Sequence, residues 1–430
     1  AGQAVTSGSL NTLVGSLAGY NLSTGSENVA IGMQALENED EHGKNVAVGA
    51  EALRTLNAGA HGFNTAVGYY AGKNISTGIE NTIIGSLAGD ALTTGTRNVA
   101  IGYHALGGED AHGKNVAIGY QALKAQDAGA DAFNVAVGYS AGESVSTGVQ
   151  NTIVGGQAGD ALTTGNHNVA IGFRALSTED TGSNSIGIGY YALNKQNNDS
   201  NNYNIAIGHS AAQELTTGQY NHLIGGLAGD ALTTGSHNIA IGLNALSTED
   251  TGSRSIAIGE GTLQVQNNDA NNYNIAIGHH ACNALSTGTL NVVIGGLAGD
   301  ALTDGQSNTV VGHGALGAET GGDQNTAIGI EALKVSNGGS NNVAVGRSAG
   351  IAVSTGDNNT LIGTNAGDTL QGGSNNIVIG YNADAAAEDS TNSVTFGDAN
   401  ISAIRCQVQT ISALSDERDK TNIQDSTYGL

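Results

Sequence analysis

The 430-residue chain contains no proline and no tryptophan, one methionine, two cysteines and only 14 lysines and arginines. Proline would remove a donor from a β ladder, so its absence suits an uninterrupted sheet. Cys282 and Cys406 are too far apart along the repeat described below to meet in a straight rod, and no disulfide framework is expected. No stretch approaches the roughly 18 apolar residues that cross a bilayer as a helix, and the N-terminus lacks the basic-then-apolar pattern of a signal segment. Membrane insertion is therefore not expected. The few cations face 38 aspartates and glutamates, a formal net charge of −24. That balance excludes a nucleic-acid binder, which presents a basic face, and reads as an acidic, soluble exterior.

What the chain does have is glycine, 67 of them, and a repeat. The phrase Asn-(apolar)-(apolar)-(apolar)-Gly recurs from Asn11 to Gly397 in 23 copies, with Ser185, Ser255 and Ser393 replacing the asparagine in three. Steps between copies are 17 residues, except at 45 to 64, 115 to 134, 185 to 204 and 255 to 274, where they are 19. The wide coils are themselves 70 residues apart, which points to duplication of a four-coil block with its insertion kept in one surface loop. A fixed short period is the mark of a solenoid, whose units bury their apolar faces only by stacking. This overrides the three globular domains that length alone suggests.

Seventeen residues cannot hold a strand, a turn and a useful helix, and no 3.6-residue apolar period is sustained, so the coil reads as all-β. In Asn98-Val99-Ala100-Ile101-Gly102 both faces of the strand are apolar. Both are expected to be buried, one inside the chain's own coil and the other against partner chains. Alanine recurs seven residues after each phrase begins (Ala18, Ala35, Ala52), where a second short strand or turn is expected to pack tightly. The phrase glycine suits a corner needing positive φ or close approach, and the asparagines are expected to stack as an amide ladder along the rod. At about 4.8 Å per coil, 23 coils give a rod on the order of 110 Å long. Its stability must come from stacked hydrogen bonds and many modest contacts.

After Gly397 the repeat stops. Residues 398–414 read as a β neck, and the chemistry changes at Leu414-Ser415-Asp416-Glu417-Arg418-Asp419-Lys420-Thr421-Asn422-Ile423. This segment resembles the opening of the endosialidase-type intramolecular chaperone, a self-cleaving C-terminal domain of bacteriophage tail fibres and tailspikes. The match runs through Ser415, Asp416, Arg418, Lys420 and Ile423 and covers about 16 residues, 415–430. The resemblance implies that three chains assemble on the chaperone, which then cuts itself off beside Ser415 with Lys420 as base; self-cleavage is the only activity it implies. The remainder of that domain would lie beyond this chain. Residues 11 to about 397 are similar to the head repeats of trimeric autotransporter adhesins, which build a left-handed parallel β-roll in a three-chain head. The 17-residue coil is longer than theirs, and no heptad stalk or anchor strands are present, which favours a phage-type fibre.

The expectation is thus a homotrimeric parallel β-solenoid of 23 coils in a virion tail fibre. Its partners would be its own copies, upstream tail proteins and a host-surface glycan or protein receptor. A trimeric adhesin on a bacterial surface is the alternative, and a polysaccharide-degrading tailspike, which needs paired carboxylates in a groove, a third reading. The chain starts at Ala1 and is expected to be a piece of a longer protein.

No cofactor or metal is expected. His279 and His280 lie near Cys282, but neighbours in a strand point to opposite faces, which argues against a shared ion. The acidic and Asn-rich loops, Glu37 to Glu41 and Gln196 to Asn202 among them, lack a calcium-binding spacing. Repeated Leu-Thr-Thr-Gly segments (Leu92 to Gly95) end in a turn and form no threonine face. Rings just after the phrase glycine (Tyr69, Tyr103, Tyr120, Tyr139, Phe173, Tyr190, His209, His279, His313 and Tyr381) are expected to cover seams between coils or chains. Receptor contact is expected at the wide loops and at the tip near 381–414.

Overall fold

Each phrase forms one three-residue strand, and each strand hydrogen-bonds in parallel to its counterpart one coil later. A computed structural model describes residues 1–403, and the segment 404–430 lies outside the described residues. Twenty-three strands, β1 (Thr12–Val14) to β23 (Val394–Phe396), make a single parallel sheet. Register never slips: Val99 faces Val116, Ala100 faces Ala117 and Ile101 faces Ile118, and the 19-residue coils keep the same match, as in Ile186 opposite Ile205. The described residues contain no helix. The protein is an all-β parallel β-solenoid.

Two features end each strand after three residues. The phrase glycine adopts φ between +129° and +146° in the first 22 coils, a region closed to residues with a Cβ. It also lies against the next coil: a Cβ on Gly102, Gly119 or Gly138 would penetrate the carbonyl of the following phrase glycine. A turn then follows in which left-handed and right-handed residues alternate, as in Gln34 (φ 57°) and Leu36 (φ 53°) on either side of Ala35. The two left-handed residues aim their N–H groups in opposite directions along the rod, while the Ala35 N–H between them donates to Gly32 O within the turn. The Gln34 N–H donates back to Ser16 O at 2.8 Å, and the Leu36 N–H donates forward to Ala52 O at 3.0 Å. Stacking thus satisfies backbone groups that a free turn would leave to water, which offsets the cost of placing leucine in left-handed backbone. The recurring alanine sits in this turn, fully buried, and no second strand forms there.

The core is a narrow column of Ala, Leu, Ile and Val. Its volume is traded between two positions of the coil. Coils with Ile83, Leu223 or Leu361 in mid-strand carry Gly89, Gly229 or Gly367 in the turn, whereas coils with Ala30, Ala100 or Ala240 carry Leu36, Leu106 or Leu246. A Cβ on Gly89 would lie 3.1 Å from Ile83 Cδ1, so the exchange fills these coils, whereas coils with Ala66, Ala136 or Ala344 carry Gly72, Gly142 or Gly350 and bring Ile75, Val145 or Val353 against that glycine.

The asparagine ladder runs through the backbone, not from amide to amide. Asn221 Oδ1 accepts from the Asn238 N–H at 2.9 Å, and its Nδ2 donates to Gly235 O at 2.9 Å. Direct Nδ2-to-Oδ1 bonds between neighbours are secondary, at 3.0–3.4 Å where they occur. Two of the serine exceptions are compensated: Gln196 Nε2 donates to Ser185 Oγ at 2.8 Å while Gln196 Oε1 accepts from Asn204 Nδ2 at 2.9 Å, and Gln266 repeats this with Ser255 and Asn274.

Within the single chain only the inward strand face is buried. The mid-strand residue is buried, but its outward neighbours are only half-covered; Ile84, Ile207 and Ile241 are 36–37% exposed. Flanking coils shield the sides of each outward side chain and leave its tip free. Of the expected neck, residues 398–403 are described and hold a turn without a strand, while its remainder and Ser415, Asp416, Arg418, Lys420 and Ile423 lie outside the described residues.

Candidate functional site

Two ladders of rings flank the outward strand face. Because each phrase glycine turns the chain at the same angle, residues following it stack coil on coil. Tyr103, Tyr120 and Tyr139 lie parallel at 5.4 and 5.1 Å between centroids, and Phe173, Tyr190 and His209 at 5.7 and 5.2 Å. The rings cover seams between coils and remain about half-exposed. Sequence reading missed the second ladder, at the residue before the phrase. It comprises Tyr203, Tyr220 and His237, with Phe63 and Phe133 lying beneath Lys44 and Lys114. Its signal was present in the register: Phe63, Phe133, Tyr203 and Tyr273 are 70 residues apart. Between the ladders runs a largely apolar stripe of Val, Ile and Thr, interrupted by His222 and ending at Phe396.

The opposite side of the coil holds the inserted loops, organised by buried glutamates. Glu39, Glu109, Glu179, Glu249 and Glu319 recur every 70 residues and are fully buried. Glu179 accepts from the Gly182 N–H at 2.7 Å, from Gln196 Nε2 at 2.9 Å and from Asn202 Nδ2 at 3.0 Å, and Glu249 repeats the set. A carboxylate here collects loop donors that the coil geometry leaves free, which binds the wide loop to the rod. In Glu179 and Glu249 both carboxylate oxygens are thus occupied by neutral donors. In the second block Glu109 Oε2 and Asn115 Nδ2 are buried without a partner.

Burial pushes the carboxyl groups of Glu39, Glu109 and Glu179 above their ordinary range, and does the same to Asp90, Asp160, Asp230 and Asp300. A raised folded-state value means that the native rod binds protons more readily than the unfolded chain. The stability these groups contribute is full below the ordinary carboxylate pKa, about 4, and is lost as pH rises through their folded values. Glu51, Asp131, Glu331 and Asp398 are shifted down instead, chiefly by side-chain hydrogen bonds to Lys73, Lys114, Lys334 and Asn400, and cost stability only below about pH 4. The melting temperature is therefore expected to rise when pH is lowered from 7 to 5. Thermal melts monitored by circular dichroism check this; a midpoint that falls over that interval contradicts it.

A cleft of about 330 Å³ opens where Gly314 and Gly317 omit side chains. Asp300, His313, Glu331 and Lys334 line it with Leu297 and Val335. The Lys334 ammonium donates to Glu331 Oε1 at 2.7 Å and holds that carboxyl low, whereas burial raises Asp300. Polar groups beside an apolar wall suit a hydroxyl-rich ligand such as a sugar.

The His279–His280 pair stands differently from its expected place. Gly278, at φ 140°, ends the strand, so both histidines occupy the turn and their rings meet at 4.2 Å. Cys282 is fully buried in the core position that Leu53 and Leu263 fill elsewhere, with its thiol pushed up by burial, and takes no part.

Fold and surface together define the class: a β-solenoid of about 23 coils, fibre-like in its repetition. Comparison with protein-family models finds no match, and no curated protein matches at a significant level.

Proposed function

We propose that this chain is the shaft of a homotrimeric fibre that carries a phage tail to a host-cell surface. The observation that carries the reading is the outward strand face, with Val, Ile or Phe at the third strand position in all 23 coils, half-exposed in one chain and bordered by rings. Additional copies of the same chain are its occupants, because parallel copies share one axial repeat and can bury the stripe coil by coil. A face of this length also meets the demand for area that stable oligomers make. The acidic exterior and the chaperone-like segment at Ser415 to Ile423 support a secreted or virion fibre over a metabolic role. By resemblance, Ser415 marks self-cleavage with Lys420 as base. A trimer that has shed its chaperone would be kinetically trapped, since interwoven chains reassemble slowly.

Host recognition falls to the features that depart from the regular coil: the cleft at Gly314, the wide loops and the distal tip. Labelled rods mixed with bacterial cells test this. Saturable binding that leaves the cell-surface polysaccharide at full length fits the fibre. Shortening of the polysaccharide marks a tailspike instead, and failure to bind any bacterial surface sinks the adhesive reading.

A further inference from the structure

In the ladder that follows the phrase glycines, rings stack on rings in two runs, Tyr103 to Tyr139 and Phe173 to His209. Elsewhere in it a carboxylate stacks on an imidazole: Glu260 lies directly below His279, and His280 follows in the same turn. Donor atoms of Glu260, His279 and His280 all lie within 4.8 Å of one another, and the first two side chains are exposed.

Two glycines shape this spot. Gly261 occupies a left-handed position (φ 62°) whose counterparts are Glu51, Gln121 and Tyr191, so the backbone there tolerates side chains. A Cβ on Gly261 would lie 2.8 Å from both Nδ1 and Cε1 of His280. The missing side chain is what lets this imidazole lie back over the lower coil beside Glu260. On the other side, Gly296 follows the next phrase and leaves the ladder above His279 without a side chain. The His280 N–H donates to Glu260 O at 2.9 Å, which fixes the two turns relative to each other.

We propose that Glu260, His279 and His280 form a binding site for a first-row transition dication, with Zn(II) as the occupant. Two imidazoles and one carboxylate select such ions over Ca²⁺ and Mg²⁺, which want oxygen donors throughout. Bonds of about 2.1 Å draw ligand atoms to roughly 3.4 Å apart, and rotation of the exposed Glu260 and His279 side chains covers the remaining distance. Three protein ligands leave at least one position open to solvent, where water or a group from another molecule completes the shell. All three ligands come from one chain, so the site does not depend on the trimer. The other groupings of this kind among the described residues, Glu39-Asp40-His42 and Glu109-Asp110-His112, offer one histidine each and a glutamate already engaged by its loop.

The test uses the untagged 430-residue chain, stripped with chelator and titrated calorimetrically with Zn²⁺, with Co²⁺ absorption as a second readout of coordination. One equivalent per chain is expected. His279→Ala and His280→Ala are each expected to weaken it at least about tenfold, a loss that even outer-shell changes produce. Glu260→Gln, which removes charge at constant volume, is expected to weaken it as well. Gly261→Ala is expected to do so without replacing a ligand, by displacing the His280 ring, and His42→Ala is expected to leave it unchanged. Circular dichroism verifies that each variant keeps the rod. Absence of a Zn²⁺ equivalent in the parent chain, or an equivalent that survives His279→Ala combined with His280→Ala, overturns the proposal.

Discussion

Gly119→Ala is expected to destabilise the rod by about 4 kcal/mol or more, a magnitude reserved for buried clashes and forced backbone. Gly119 sits at φ 140°, and a Cβ there would enter the carbonyl group of Gly138 in the next coil. No rotamer relieves this, because the obstructing atoms are backbone and the coils above and below are locked by the same ladder. In a solenoid each unit answers only to its neighbours, so the damage divides the rod instead of spreading evenly. Hydrogen exchange measures this directly: amides in the coils beginning at Asn98, Asn115 and Asn134 should lose protection, while those near Asn291 should keep it. Uniform protection like that of the parent would show that the coil spacing yields easily at Gly119. By contrast, Gly59 and Gly129 have nothing within 4 Å of a built Cβ, so alanine there meets only the cost of its left-handed backbone.

Asn221→Leu is expected to cost about 2–5 kcal/mol. The shape is nearly kept, but the buried Asn238 N–H loses its acceptor and the Gly235 carbonyl loses its donor. Each unmade bond to a buried group costs about 1–3 kcal/mol. Asn197→Leu, on the exposed loop of a wide coil, is the control and should change stability by less than about 0.5 kcal/mol. Chemical denaturation of the two variants side by side gives the comparison. Equal effects would mean that the ladder asparagines act only through turn propensity.

The strand, its three-residue length and its register are readable from the sequence, because the Asn-to-Gly phrase repeats without a slip and a parallel stack has one way to align it. The turn is less readable. Alternating left-handed residues include Leu36, Leu53 and Leu106, which no propensity places there; they adopt it because inter-coil bonds reward the alternation. The histidine pair was misjudged for a related reason. Treating His279 and His280 as strand neighbours ignored Gly278, whose positive φ ends the strand before them, and strand alternation ceases to apply. The cleft at Gly314 was invisible because absent side chains on one coil open it between walls from the coils on either side, which only stacking brings together. The buried glutamates repeat every 70 residues and were legible as a pattern, yet their role depends on loop donors such as Asn202 that reach back 23 residues.

The proposed fibre rests on copies of the same chain covering the stripe between the two ring ladders. The native mass of the purified chain at micromolar concentration, from light scattering coupled to size exclusion, tests this most directly. A homogeneous particle of three times the 42.8 kDa chain mass that persists on dilution is the predicted result. A folded particle of 42.8 kDa, with the β spectrum intact and the stripe exposed, would contradict it.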